Sequence, residues 1–131
     1  MFRLKRSRAD KLFSDYIRIR DNWTCQRCFI TYEPPTQALH CSHWWGRGNK
    51  SVRFNPDNAI ALCYGCHRYL GSNPTEHNQF FLKKLGIETY DRINMLARIP
   101  MKIDENMICL GLKVLIKELE DKKLPILGKK T

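Results

Sequence analysis

Two Cys-x-x-Cys pairs, Cys25 with Cys28 and Cys63 with Cys66, constrain this chain more than any other feature, because 34 residues, 29 to 62, separate them. A structural zinc takes four tetrahedral ligands, and each such turn offers two thiolates from a tight loop. A chain that gathers all four must close residues 25–28 onto residues 63–66 and carry the interval as an inserted unit. The longest apolar runs fall far short of the roughly 18 residues of a membrane span, and MFRLKRSRADK has no apolar stretch behind its charges. We therefore expect a cytoplasmic protein, where paired cysteines serve as metal ligands and not as disulfides. Cys41 and Cys109 are left over and read as buried small hydrophobes.

A rival zinc set exists in Cys25, Cys28, His40 and His43. A classical finger takes its histidines from a helix at a spacing of about three to five residues. Here they flank a predicted strand only two residues apart, and the choice would orphan Cys63 and Cys66. The four-cysteine set is preferred.

The 131 residues suit one domain, and 43% hydrophobic content permits a modest core. Lys and Arg number 23 against 13 Asp and Glu, a formal charge of +10. That excess favours a polyanionic partner, nucleic acid first, although a merely solvated basic surface has the same composition.

Along the chain, residues 1–8 read as a basic arm. Ser7 and Asp10 resemble a capping box with Asp in place of Glu, opening a helix of about 14 residues. Its buried face carries Leu12, Phe13, Tyr16 and Ile17, and its outer side is expected to be cationic through Lys11, Arg18 and Arg20. Pro34 and Pro35 mark a turn. Residues 37–45 and 52–62 then read as the two sides of a hairpin around a cationic loop at 46–51, the return carrying a turn at Asn55-Pro56-Asp57, followed by a short helix from Cys63 to Leu70. Asn73, Pro74 and Glu76 signal a helix to Leu85, stopped at Gly86, and another is expected over 88–99. The last should run from a cap at Asp104 to about Lys122, with Ile108, Leu112, Leu115 and Leu119 as an apolar seam. That seam would serve packing inside the monomer or a homodimer through the C-terminal helix.

Three residues of the inserted unit carry chemistry. Phosphodiester hydrolysis needs an activated water, a cation on the phosphate oxygens and help for the leaving oxygen. His43 can accept a proton near neutral pH, so it is the candidate base. His67, fixed directly behind a zinc knuckle, is the candidate ligand of a catalytic divalent ion. The Asn58 amide is placed to tie the return segment to the loop carrying the base. Trp44, Arg47, Lys50, Arg53 and Arg68 surround these groups and are candidate DNA contacts; the alternative is buried tryptophan with solvated cations. Of Trp44 and Trp45, one is expected to be buried.

Asn58-Ala59-Ile60-Ala61-Leu62-Cys63-Tyr64-Gly65-Cys66-His67 resembles the Asn-Leu-x-x-Leu-Cys-x-x-Cys-His pattern of the HNH endonuclease family, departing only at Ala59. The likeness covers about residues 25–72. DYIRIRDNWTCQRC and VRFNPDN are also similar to phage-encoded NinG-type recombination nucleases. The resemblance implies an α+β fold: a zinc-stabilised ββα-metal, treble-clef-like core at 23–72, flanked by the arm and N-terminal helix at 1–22 and a helical extension at 73–131 of a single domain. It implies a structural zinc on the four cysteines, a catalytic Mg2+ or Mn2+ at His67, His43 as base and Asn58 in support. DNA is the implied partner, in a bacterial or phage-infected cell. One position departs: Ser42 stands where many such enzymes have a metal-binding Asp, and a hydroxyl anchors a hard cation poorly. His40, Asp57 or His77 would have to complete the shell, or the chain is a non-catalytic zinc module that binds DNA.

Overall fold

The computed structural model describes residues 5–128, with side chains through 122, so the first four residues of the expected basic arm lie outside the described residues. The elements are α1 (Arg8–Arg20), β1 (Leu39–His43), a short 3-10 turn (Pro56–Asn58), β2 (Ala59–Cys63), α2 (Tyr64–Gly71), α3 (Pro74–Leu85), α4 (Ile87–Ala97) and α5 (Glu105–Gly128).

Ser7 starts α1 as its sequence requires. The Ser7 Oγ accepts from the Asp10 backbone N–H at 3.2 Å, and the Asp10 carboxylate accepts from the Ser7 N–H at 2.9 Å. Phe13 and Ile17 face inward and are fully buried, with Leu12 and Tyr16 at the margin of the core. β1 and β2 form an antiparallel pair with His40 opposite Leu62 and His43 opposite Ala59. Every residue of β2 is buried, as a continuous Ala-Ile-Ala-Leu-Cys run demands of a strand covered on both faces.

The outgoing strand is shorter than the sequence suggests, and the return is broken at the turn expected over residues 55–57. On the return side, Asn55 caps the 3-10 turn by accepting from Asp57 N–H at 2.9 Å, and Pro56 has no N–H for a ladder. On the outgoing side, Trp44 and Trp45 leave the ladder because Asn58 takes their backbone groups.

The cationic outer side expected of α1 is corrected for two of its three residues. Arg18 is buried, donating to the Leu39 carbonyl at 3.3 Å and to Asp15 at 2.8 Å. Arg20 donates to the carbonyls of Pro56 at 2.7 Å and Ala59 at 2.8 Å, while Asp21 accepts from the Ala61 N–H at 2.8 Å. Backbone groups that the two-stranded sheet leaves unpaired are thus satisfied by the end of α1. Of these three, Lys11 alone is exposed.

Gly86 closes α3 with φ of +83°, a conformation that suits glycine, and donates to Leu82 O at 2.9 Å. Asp104 caps α5 by accepting from Asn106 and Met107 N–H at 3.0 and 3.3 Å. α5 packs on α1 through Leu112, Ile108 and Cys109, so the first half of the apolar seam is used inside the monomer. Leu115 is exposed. The helix extends past the expected end at residue 122 to Gly128, through Pro125. Among the described residues no helix is long and apolar enough to cross a membrane.

Candidate functional site

The sulfurs of Cys25, Cys28, Cys63 and Cys66 all lie within 4.8 Å of one another, with Cys28 and Cys63 at 3.8 Å. Four thiolates about 2.3 Å from one zinc stand about 3.8 Å apart, so the donor set fits a tetrahedral ion. The first knuckle is joined to β2 by the Gln26 N–H donating to Ala61 O at 2.9 Å. The second knuckle is the start of α2, where the Cys66 N–H donates to Cys63 Sγ at 3.4 Å. Arg27, which the sequence reading passed over, donates to Cys66 Sγ at 3.4 Å and lies over the Tyr69 ring at 4.5 Å. A guanidinium there offsets the negative charge of a four-thiolate centre. Its place inside Cys-x-x-Cys was the available signal.

His43, the last residue of β1, turns toward α1. Its ring stacks on Phe13 at 5.5 Å between centroids, and its Nε2 meets the Arg53 carbonyl at 3.1 Å. A carbonyl only accepts, so Nε2 carries the proton and Nδ1 is the free acceptor. Burial pushes the His43 pKa down to about 4, against a smaller upward pull from the Arg53 bond, so the ring is neutral at pH 7. Because the unfolded chain takes up this proton near 6.5 and the folded one near 4, the associated stability is complete above pH 6.5 and lost as pH falls toward 4. Thermal unfolding should therefore move to lower temperature across this window, and His43→Gln should flatten part of the slope.

Asn58 is fully buried and bridges the loop to β1: its Oδ1 accepts from the Trp45 N–H and its Nδ2 donates to the Trp45 carbonyl, both at 2.9 Å. The Trp44 N–H donates to the Asn58 carbonyl at 2.8 Å. Three bonds thus fix the segment that follows His43.

Arg53 is 6% exposed and forks onto Asp10, with Nε and Nη2 at 3.0 and 2.5 Å from the carboxylate. Arg47 joins the same carboxylate at 3.1 Å. Burial alone would raise the Asp10 pKa; the bonds from Arg53 and Ser7 overcome it and hold the carboxyl down at about 2. The expected DNA contact is withdrawn for Arg53, since both the burial and the pairing direct it inward. Asp10 was legible only as a helix cap, because its partner lies 43 residues away. Removing one member of a buried pair strands the other charge. Asp10→Asn should cost about 3 kcal/mol, read as a shift in the denaturant midpoint.

Trp44 is also engaged inside the protein. Its ring stacks on Phe81 at 6.0 Å and Tyr90 at 4.5 Å, and its Nε1 donates to Asn78 at 3.1 Å. Neither tryptophan of the pair is fully buried, contrary to the expectation for one of them, because both lie where the hairpin leaves the core. Lys50 and Arg68 are exposed; Arg68 donates to the Tyr64 hydroxyl at 3.1 Å.

His67 does not meet His43. It faces His40, with the two Nδ1 atoms 3.0 Å apart and the rings nearly perpendicular at 84°. Residues three apart on a strand point to opposite faces, so His40 turns to α2 while His43 turns to α1. Burial lowers the pKa of both His40 and His67, favouring neutral rings. A cleft of about 250 Å³ opens beside them, lined by Arg6, Ser14, Arg18, Gln37, Leu39 and Cys41. Ser42, which stands in place of a metal-binding Asp, is 1% exposed, and Asp57, a candidate to complete the shell, is paired with Arg92 at 3.5 Å.

A small two-stranded sheet held between helices, beside four cysteines able to bind zinc, makes this a mixed α+β protein with a candidate metal centre. The chain belongs to the NinG family: the family described as Bacteriophage Lambda NinG protein matches residues 4–121. It is also similar to a protein of Lactococcus phage SK1 described as a probable HNH endonuclease, 34% identical over 55 residues, which are 40% of this chain and 58% of that relative. The match therefore spans less than two thirds of the relative's length. No solved structure matches the chain.

Proposed function

We propose that this chain is a phage-encoded, metal-dependent endonuclease of the HNH type that cuts DNA during its processing or recombination. The observation that carries the reading is the fixed imidazole of His43: neutral, with Nε2–H committed to the Arg53 carbonyl and Nδ1 left to accept. The likeness to a probable HNH endonuclease supports it.

In this mechanism His43 Nδ1 takes the proton of a water whose oxygen attacks phosphorus, and the bond from phosphorus to the leaving 3′ oxygen breaks. A divalent ion at His67, when bound, would neutralise charge on the phosphate oxygens. Asn58 keeps the loop behind His43 in place, and the Asp10–Arg53 pair keeps the carbonyl that orients its ring. Lys50 and Arg68 meet the DNA backbone as exposed cations. His43 lies on the α1 side of β1 and the His40–His67 contact on its α2 side, so one scissile phosphate would have to reach both. The zinc on Cys25, Cys28, Cys63 and Cys66 holds α2 against the hairpin and takes no part in the chemistry.

A second reading is favoured by Ser42, whose burial prevents it from serving as the ligand many relatives place there. On that reading the chain is a zinc module that binds DNA without cutting it. Incubating the protein with duplex, single-stranded and branched DNA, in Mg2+, Mn2+ or EDTA, separates the two. We expect metal-dependent cleavage, with binding that weakens steeply as salt rises. Salt-sensitive binding without cleavage in either metal would leave the zinc module.

A further inference from the structure

We propose that His40 and His67 together form a two-imidazole site for a borderline divalent ion, Mn2+, Co2+, Ni2+ or Zn2+, in preference to Mg2+. The proposal deepens the nuclease reading by naming the second ligand of its ion and the class of metal, but metal binding at the pair can be measured without DNA. The two Nδ1 atoms are 3.0 Å apart. Adjacent imidazole nitrogens about 2.1 Å from a shared ion stand about 3.0 Å apart when the ligands meet at right angles. The rings come from separately anchored elements, β1 and α2. Register with β2 positions His40, and the knuckle of Cys63 and Cys66 positions His67.

The class of ion follows from what the site lacks. Among the described residues, the four cysteines are the one group of three or more metal-binding side chains within close range, so no carboxylate joins the histidine pair. A hard Mg2+ depends on carboxylate and phosphate oxygens, whereas imidazole suits the later divalent metals. Two protein ligands leave the remaining positions open. Arg6 and Arg18 line the adjoining cleft, and cations there favour an anionic oxygen donor, such as a phosphodiester, as the next ligand. A hydrogen bond between opposite tautomers is the competing account of the same 3.0 Å contact.

The test uses intact, zinc-loaded protein titrated with Co2+. Visible absorption bands of cobalt bound by nitrogen and oxygen should appear at one equivalent, without the intense near-ultraviolet band of cobalt thiolate that exchange into the cysteine site would give. His40→Ala and His67→Ala, each shown to retain zinc and its unfolding transition, should weaken Co2+ binding at least 10-fold, and Mg2+ in 100-fold excess should not displace the cobalt. Should either variant fail to fold, paramagnetic broadening of the wild-type imidazole signals gives the same answer. Sub-stoichiometric Co2+ should broaden His40 and His67 together. No nitrogen-type band, equal affinity in both folded variants, displacement by Mg2+, or broadening that spares either ring would overturn the proposal. Cleavage supported by Mg2+ with no cobalt bound at the pair would sink this inference and leave the nuclease reading; cobalt binding without cleavage in any metal would do the reverse.

Discussion

Cys63→Ala should yield a protein that does not hold zinc and does not fold, and not simply one with reduced activity. Cys63 is both a candidate zinc ligand and the cap of α2, whose first turn it meets through the Cys66 N–H at 3.4 Å. It also ends β2, so its loss frees the knuckle, the strand and the helix at once. Zinc bound by four thiolates contributes apparent free energies of about 10 to 16 kcal/mol to folding, more than the whole net stability of many domains of this size. The expected readout is one zinc per chain in the wild type, and in the variant no stoichiometric zinc and no cooperative unfolding. A metal-free wild type with an intact thermal transition would remove the assignment.

His43→Ala should keep zinc and DNA binding and lose cleavage by about 100 to 10,000-fold, the range that one positioned base contributes. The low His43 pKa, about 4, means that the ring is available as an acceptor throughout the neutral range, so its deprotonation should not shape the activity profile above pH 6. Added imidazole should restore part of the activity to His43→Ala and little to His67→Ala, since a free base can replace a proton acceptor but not an anchored ligand. Raising Mn2+ should help only the His67 variant. Equal cleavage by His43→Ala and wild type would remove the base and favour the DNA-binding zinc module.

What the sequence makes legible here is local or repeats a spacing. The four cysteines can be grouped because each pair is two residues apart, and Ser7 and Asp10 announce a helix start three residues apart. Gly86 marks the end of α3 for the same reason. Long-range pairing is where the reading fails. Nothing near Arg53 indicates that it reaches Asp10, 43 residues earlier, and an exposed cation was the natural expectation. Arg18 and Arg20 likewise fall on the outer side of α1 by helical periodicity, which does not show the carbonyls of Leu39, Pro56 and Ala59 waiting above them.

The site divides in the same way. Asn58 could be given its tie from its place after a loop, and the structure supplies two hydrogen bonds to Trp45. The pairing of His67 with His40, 27 residues apart, depends on strand register and on how α2 leaves β2. From sequence alone His40 fits a rival zinc set, or one of three ways to complete an ion's shell. The mixture of aromatic and basic residues around Trp44 points to DNA, but α3 and α4 bring Phe81 and Tyr90 to its faces.

The central claim is tested most directly by the nicking rate of supercoiled plasmid, using zinc-loaded wild type and His43→Ala freed of loosely bound ions. The wild type should be inactive in EDTA and convert the plasmid to open circles when Mn2+ is restored, while His43→Ala, binding the same DNA, should fall behind by at least 100-fold, within the range of a lost general base. Nicking that persists in EDTA, or that proceeds equally in both proteins, would contradict the account.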